Sequence, residues 1–361
     1  LPATGPDIVE TPGHSNIFAM VLRLLARLML LLSSLALLVI ATGYGYSAYQ
    51  SGLFEGRRKN EGELIDVGGF RMNSVHVPRP ATADLPPIVF IHGASGSLLD
   101  PLHAFLEPLS GRAEMLFLDR PGLGYSERGG PENAFPDGQA RAIATLMEKR
   151  GIGKAIIVSH SFGGAIAASF ALYHPEKVEA MLFLAPATHP WPGGLDWYYG
   201  ITRMPFVGWW FSRLIAAPVG SLLLEKGVGS VFAPNEVPAD YIEETNTFLA
   251  LRPAAFRNNA TDVANLFDYV TRVAPRYREI EAPTIILTGD RDGVVYAHIH
   301  SKQLHEAIAG SRLITVHNLG HKPDYVATDL AVAAIETLAG KPRDLDAATR
   351  AVEARIAGDG Q

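Results

Sequence analysis

The chain has 361 residues, 48% of them apolar and only 19% charged, so it can bury a sizeable core and is no disordered or low-complexity protein. Its formal charge of -6, from 37 acidic and 31 basic residues, offers no basic stripe and sets nucleic acid aside as a partner. With no cysteine, a disulfide framework, a thiolate metal site and a cysteine nucleophile are excluded together.

A mean hydropathy of +0.12 is high for a soluble protein. The excess concentrates in Leu28 to Gly43, LMLLLSSLALLVIATG, preceded by Arg23 and Arg27 and followed by Tyr44, Tyr46 and Tyr49. This run of about 16 residues is short of the roughly 20 a free-standing span prefers, but Ile17 to Leu25 lengthen it if the two arginines snorkel. Residues 20–50 are therefore expected to form a transmembrane anchor. The rival is a cleaved signal peptide, with Val39 and Ala41 as the small residues before the cut. A start at Met20 would give a compact basic-then-apolar leader, which leaves residues 1–19 as an extension of uncertain status. Leu1 to Gly5, LPATG, matches a cell-wall sorting motif at the wrong end of the chain and reads as coincidence. Arg23 and Arg27 lie closer to the apolar run than Arg57, Arg58 and Lys59, which favours a cytoplasmic N-terminus. The expected location is a bacterial inner membrane with the remaining chain outside the cytoplasm, or export after signal cleavage.

From Asp66 onward, short apolar runs alternate with helical stretches, the pattern of a largely parallel sheet with crossover helices. Strands are expected at Phe70–Val77, Pro87–His92, Glu114–Asp119, Lys154–Ser159, Glu179–Leu184, Thr284–Thr288 and Arg312–Val316. Helices are expected at Pro101–Leu109, Pro136–Lys149, Gly163–Tyr173, Ala297–Ala309 and Asp324–Leu338. About a hundred residues separate the fifth and sixth strands, too many for a plain loop. Residues 188–278 are therefore read as a mainly helical insertion between core segments 62–187 and 279–340. It holds all four tryptophans, Trp191, Trp197, Trp209 and Trp210, which either line an apolar cleft or form the insertion's own core. The tail, residues 341–361, reads as a short amphipathic helix at a solvated terminus.

The strongest local signal is Ser159-His160-Ser161-Phe162-Gly163-Gly164, between a buried strand and a small-residue helix. A serine at such a turn is strained outward, and the residues two before and two after it must be small, as Ser159 and Gly163 are. His92-Gly93-Ala94-Ser95-Gly96 follows another strand to the same edge, so the N–H groups of Ala94 and Phe162 are the candidate oxyanion holders. Asp119 and Arg120 open a glycine-rich turn and read as structural. An acid and then a histidine complete the order: Asp292, preferred over the turn-forming Asp290, and His321. His298, His300 and His305 are placed on a surface helix, and no convergent ligand set supports a metal, so neither metal nor cofactor is expected.

With these motifs in this order the chain resembles the α/β-hydrolase superfamily, in its esterase, haloperoxidase and C–C hydrolase branch, from about Asp66 to Gly340. The resemblance implies an α/β fold: a mostly parallel central sheet flanked by helices, with the insertion as a helical cap. It implies Ser161 as nucleophile, His321 as base and Asp292 as its acid partner. Serine instead of aspartate at position 161 argues against the haloalkane dehalogenase and epoxide hydrolase branches. The expected activity is hydrolysis of a hydrophobic small-molecule ester through an acyl-enzyme, with Ser95, His160, Trp209 and Trp210 as candidate substrate contacts. The alternatives are carbon–carbon bond hydrolysis or perhydrolysis on the same triad, and a non-catalytic membrane-tethered binding protein.

Overall fold

The computed structural model describes residues 14–360, so the LPATG reading and most of the 1–19 extension lie outside the described residues. One helix, α1 (His14–Arg57), holds the whole apolar N-terminal run. By its contacts the chain falls into two units, Leu1–Tyr46 and Ser47–Gln361, with the boundary inside α1. In the first unit the large apolar side chains from Leu22 to Val39 are exposed, and the helix has the length and composition to cross a membrane. In the second unit the last turns of α1 are packed. Phe54 is buried against Ala217 and Leu251 and stacks on Phe248.

Eight strands form one sheet in the second unit: β1 (Glu63–Asp66), β2 (Arg71–Val77), β3 (Ile88–Ile91), β4 (Met115–Leu118), β5 (Ala155–His160), β6 (Val178–Leu184), β7 (Thr284–Gly289) and β8 (Arg312–Val316). Their spatial order is β1-β2-β4-β3-β5-β6-β7-β8. β1 and β2 pair antiparallel, as do β2 and β4, and every later pairing is parallel. β1 was not among the expected strands: its four residues, ELID, are mostly exposed and carry no apolar alternation.

Between the strands run α2 (Leu99–Phe105), α3 (Pro136–Lys149) and α4 (Gly163–Tyr173). The segment joining β6 to β7 contains α5 (Trp197–Thr202), α6 (Pro205–Phe211), α7 (Ala217–Phe232), α8 (Tyr241–Glu244) and α9 (Pro253–Val273). After β7 come α10 (Ser301–Ala307), α11 (Pro323–Val326), α12 (Thr328–Leu338) and α13 (Leu345–Ile356).

The inner strands read as continuous apolar runs because both sheet faces are covered. Along β3 the pleat sends Val89 and Ile91 into one core with α3, α4 and α9, and Ile88 and Phe90 into another with α2, α12 and α13. This corrects the solvated tail. Leu345, Val352 and Ile356 of α13 are buried in the second core, so the apolar stripe of that helix has a partner. The register also brings strand ends level: Ile91 sits opposite Leu118 on one side and Ser159 on the other. The loops that follow β3, β4 and β5 therefore leave the sheet at one carboxyl edge, where open α/β sheets bind ligands.

Candidate active site

Ser161 lies between the end of β5 and the start of α4, with a backbone φ of +54°. That left-handed conformation is strained for a residue with a side chain. It is held by close packing: a Cβ at Gly163 would lie 2.6 Å from the Ile91 carbonyl oxygen, so only glycine lets the turn seat against β3. Ser159, which stands where the pattern more often has glycine, is buried and its hydroxyl has no hydrogen-bond partner.

The Ser161 hydroxyl is 2.9 Å from His321 Nε2, and His321 Nδ1 is 2.7 Å from Asp292 Oδ2. A carboxylate can only accept, so Nδ1 carries the proton and Nε2 is left to accept from the serine. Asp292 is itself held by the N–H groups of Val294 and Val295, each 2.8 Å from its Oδ1. All three side chains belong to buried residues. Asp290 points elsewhere, accepting from the His317 ring at 2.7 Å and from the Asn318 N–H at 2.8 Å. The loop carrying His321 leans on the insertion: the Gly320 N–H donates to Asn235 Oδ1 at 2.8 Å, and a Cβ at Gly320 would collide with the Ala233 carbonyl.

Ala94 sits in the loop after β3, and neither its N–H nor that of Phe162 donates to another backbone group among the described residues. Ser95, next in that loop, has a φ of +54° and is bound to the side chain of Asn259 on α9. Its polar groups thus serve the loop. His160 is likewise committed to the protein, its Nε2–H donating to the His321 carbonyl at 2.8 Å. The His160 residue is as buried as Ser161, and its Nδ1 has no hydrogen-bond partner among the described residues. Trp209 and Trp210 pack edge to face with ring centres 4.6 Å apart, and Arg213 lies 4.0 Å over Trp209. Trp210 remains 40% exposed, so the pair is not buried in the core of the insertion.

A model of the alpha/beta hydrolase fold matches residues 86–323, well over half of the sequence. The chain belongs to the alpha/beta hydrolase fold family. Among curated relatives, this hydrolase is 30% identical over 109 residues to the poly(3-hydroxyalkanoate) depolymerase of Ectopseudomonas oleovorans, covering 30% of this chain and 38% of that protein. It is 29% identical over 198 residues to the 2-hydroxy-6-oxo-6-phenylhexa-2,4-dienoate hydrolase of Comamonas testosteroni, covering 53% of this chain and 64% of the relative. The matches thus span less than two thirds of either relative's length. Among solved structures, a membrane phospholipase A described as a bacterial virulence factor aligns with a TM-score of 0.56 at 21% identity, covering 93% of this chain and 99% of that one. At that identity the likeness shows the fold.

Two buried ionic groups flank the hydrolase's site, and neither was legible as such in the sequence. In the first, the Lys322 ammonium is 3.0 Å from Asp100 and 2.8 Å from Asp324, inside a box formed by the rings of Phe232, Tyr241 and Tyr325. Burial alone would push Lys322 down, but the two carboxylates raise it above its ordinary value. Asp100, His160 and Asp324 bring ligand atoms within 4.8 Å of one another, as a metal site would, yet the lysine already supplies the cation there. In the second, Arg120 and Asp262 form a pair at 2.8 Å with both side chains fully buried.

The histidine expectations also need one correction. α10 begins only at Ser301, and His300 before it is buried, its Nδ1 accepting the N–H groups of Thr188 at 3.2 Å and His189 at 3.1 Å. A sequence window places His300 beside polar neighbours and so suggests a surface; the contact that buries it comes from more than a hundred residues earlier.

Proposed function

We propose that this protein is a serine hydrolase that cleaves carboxylic esters of hydrophobic substrates while tethered to a membrane by α1. The observation that carries the reading is the relay Ser161–His321–Asp292, with contacts of 2.9 and 2.7 Å, on a strained turn at the carboxyl edge of the sheet. In this mechanism His321 Nε2 takes the proton from Ser161 as its oxygen attacks the ester carbonyl. Asp292 fixes the histidine tautomer and stabilises the imidazolium that forms. The N–H groups of Ala94 and Phe162 receive the oxyanion, the alcohol leaves with the proton from His321, and water then releases the acyl group from Ser161.

Residues 62–187 and 279–340 form the hydrolase core in this reading, and 188–278 form a cap. The cap's surface supports an apolar substrate: Trp197 is 69% exposed, Phe206 85% and Leu222 83%. A membrane setting is supported by the exposed apolar face of α1 and by a fold likeness to a membrane phospholipase A that extends over 93% of the chain. Arg23 and Arg27, closer to the apolar run than Arg57, Arg58 and Lys59, support an orientation with the catalytic unit outside the cytoplasm.

A fluorophosphonate probe tests the core of the proposal. The wild-type protein is expected to be labelled once, at Ser161, and to hydrolyse nitrophenyl esters, and Ser161→Ala is expected to do neither. An unlabelled wild-type protein would leave a binding role instead. The relative from Comamonas testosteroni favours a second reading, hydrolysis of a carbon–carbon bond in a β-diketone-like substrate on the same triad. Turnover of such a substrate well above that of esters would select it.

A further inference from the structure

Both halves of the oxyanion hole lean on α9, a helix of the insertion rather than of the sheet. Ser95, which follows the donor Ala94, holds a φ of +54°, a conformation that persists only where the surroundings impose it. The imposing group is Asn259. Its Oδ1 accepts the Ser95 N–H at 2.8 Å, and its Nδ2 donates to the Ser95 hydroxyl at 3.0 Å. Three residues on, and so on the same face of α9, Asp262 holds Arg120 at 2.8 Å. Arg120 touches both donor segments: its Nη1 donates to the Gly93 carbonyl at 2.9 Å, and its guanidinium lies 4.1 Å over the ring of Phe162.

The supporting bonds leave this arrangement little freedom. Gln139 accepts from Arg120 Nε and donates to Asp262 Oδ2, both at 2.9 Å, while Arg128 takes the other carboxylate oxygen at 2.5 Å. Arg120 and Asp262 have no solvent exposure, so neither can trade its partner for water.

We propose that Asn259 and the Asp262–Arg120 pair are positioning residues that set the oxyanion hole, making the seating of α9 part of the rate of the reaction and not only of substrate cover. The inference rests on the serine-hydrolase reading above. A donor that moves off the developing charge by a fraction of an ångström weakens transition-state binding while leaving the ground state nearly untouched.

The test uses full-length enzyme, a nitrophenyl ester, and a trifluoromethyl ketone whose adduct with Ser161 places an oxyanion in the hole. Asn259→Leu keeps the volume and removes both bonds; Asn259→Asp keeps an acceptor for the Ser95 N–H and can accept from the Ser95 hydroxyl. Loss of an entire oxyanion donor costs about 100- to 1,000-fold in rate, so a displaced one should cost Asn259→Leu on the order of 30-fold in kcat. The ketone's Ki should weaken by a like factor, KM should stay within about twofold, and Asn259→Asp should recover most of the loss. Asp262→Asn, measured alongside with its melting temperature, should show the same split between kcat and KM. The proposal is overturned if kcat and Ki of Asn259→Leu stay at wild-type values, if KM alone moves, or if the loss follows the unfolded fraction and Asn259→Asp does not restore it. Failure of the underlying reading looks different: Ser161→Ala would then match wild type in turnover and labelling, and the positioning role would fall with it.

Discussion

Two carboxylates stand two residues apart in the loop after β7, and the direction of their lone pairs separates their roles. Asp292 faces the His321 ring and Asp290 faces the exposed ring of His317. Asp292→Asn is therefore expected to lower ester turnover by about a thousandfold or more, because the amide favours the wrong tautomer, whereas Asp290→Asn should stay within a few-fold of wild type. His321→Ala should match Ser161→Ala in severity, because members of such a relay act as a unit. Steady-state kinetics on the four variants decide this, and a mild Asp292→Asn would remove the assignment. A second residue-scale consequence concerns acid. Burial holds His189 and His300 down to about 4; for His300 the neighbouring His189, His321 and His298 rings push the same way, and the Asp292 carboxylate opposes them. Protonation of His300 Nδ1 would break two backbone hydrogen bonds. Below the ordinary value of 6.5 the unfolded chain takes up protons that the folded chain refuses, so stability is full above pH 6.5 and is lost as the pH falls toward 4. The loss is on the order of a few kcal/mol, and calorimetric melting from pH 8 to 4.5 should show it; a flat melting temperature over that range would contradict it. The relay residues could be picked out of the sequence because each sits next to its own strand end. Asn259 and Asp262 could not, since two polar residues within a 21-residue helix look like its solvated face until the partner surface is known.

At the scale of elements, the alternation of apolar runs and helical stretches was enough to locate strands β2 to β8 along the chain, though not their spatial order, and α3 and α4 begin and end where their sequences suggest. Pro136 at a first helical turn and the small-residue run after Ser161 are strong boundary signals. What escaped had weak local signals and strong distant partners: β1 is defined by its pairing with β2, and α13 by the core it caps. The helices of the insertion raise a question of specificity. If Trp209 and Trp210 line the approach to Ser161, activity along a series of nitrophenyl esters should peak at medium acyl chains, since each methylene buried contributes about 0.8 kcal/mol, or several-fold. Trp209→Ala with Trp210→Ala should then flatten the series. A maximum at acetate that the double substitution leaves unchanged would assign the rings to packing among α6, Arg213 and each other.

For the molecule as a whole, the membrane proposal predicts that full-length protein sediments with membranes and resists carbonate extraction, and that the mass of the mature chain excludes a cut near Thr42. The apolar run that suggests this was plain in the sequence; its continuation as one helix to Arg57 was not, because the expected segment stopped at residue 50 and the residues after it lack a long apolar run. That continuation carries a practical consequence. Phe54 fills a site lined by Ala217 and Leu251, Arg57 pairs with Glu243 at 2.9 Å, and Arg58 with Glu244 at 2.8 Å. A detergent-free enzyme should therefore be cut within the helix, just before Ser47, and not at the helix's end. Trimming to Asn60 would remove Phe54 and uncover an apolar socket, at a cost of about 3 kcal/mol or more and a tendency to aggregate.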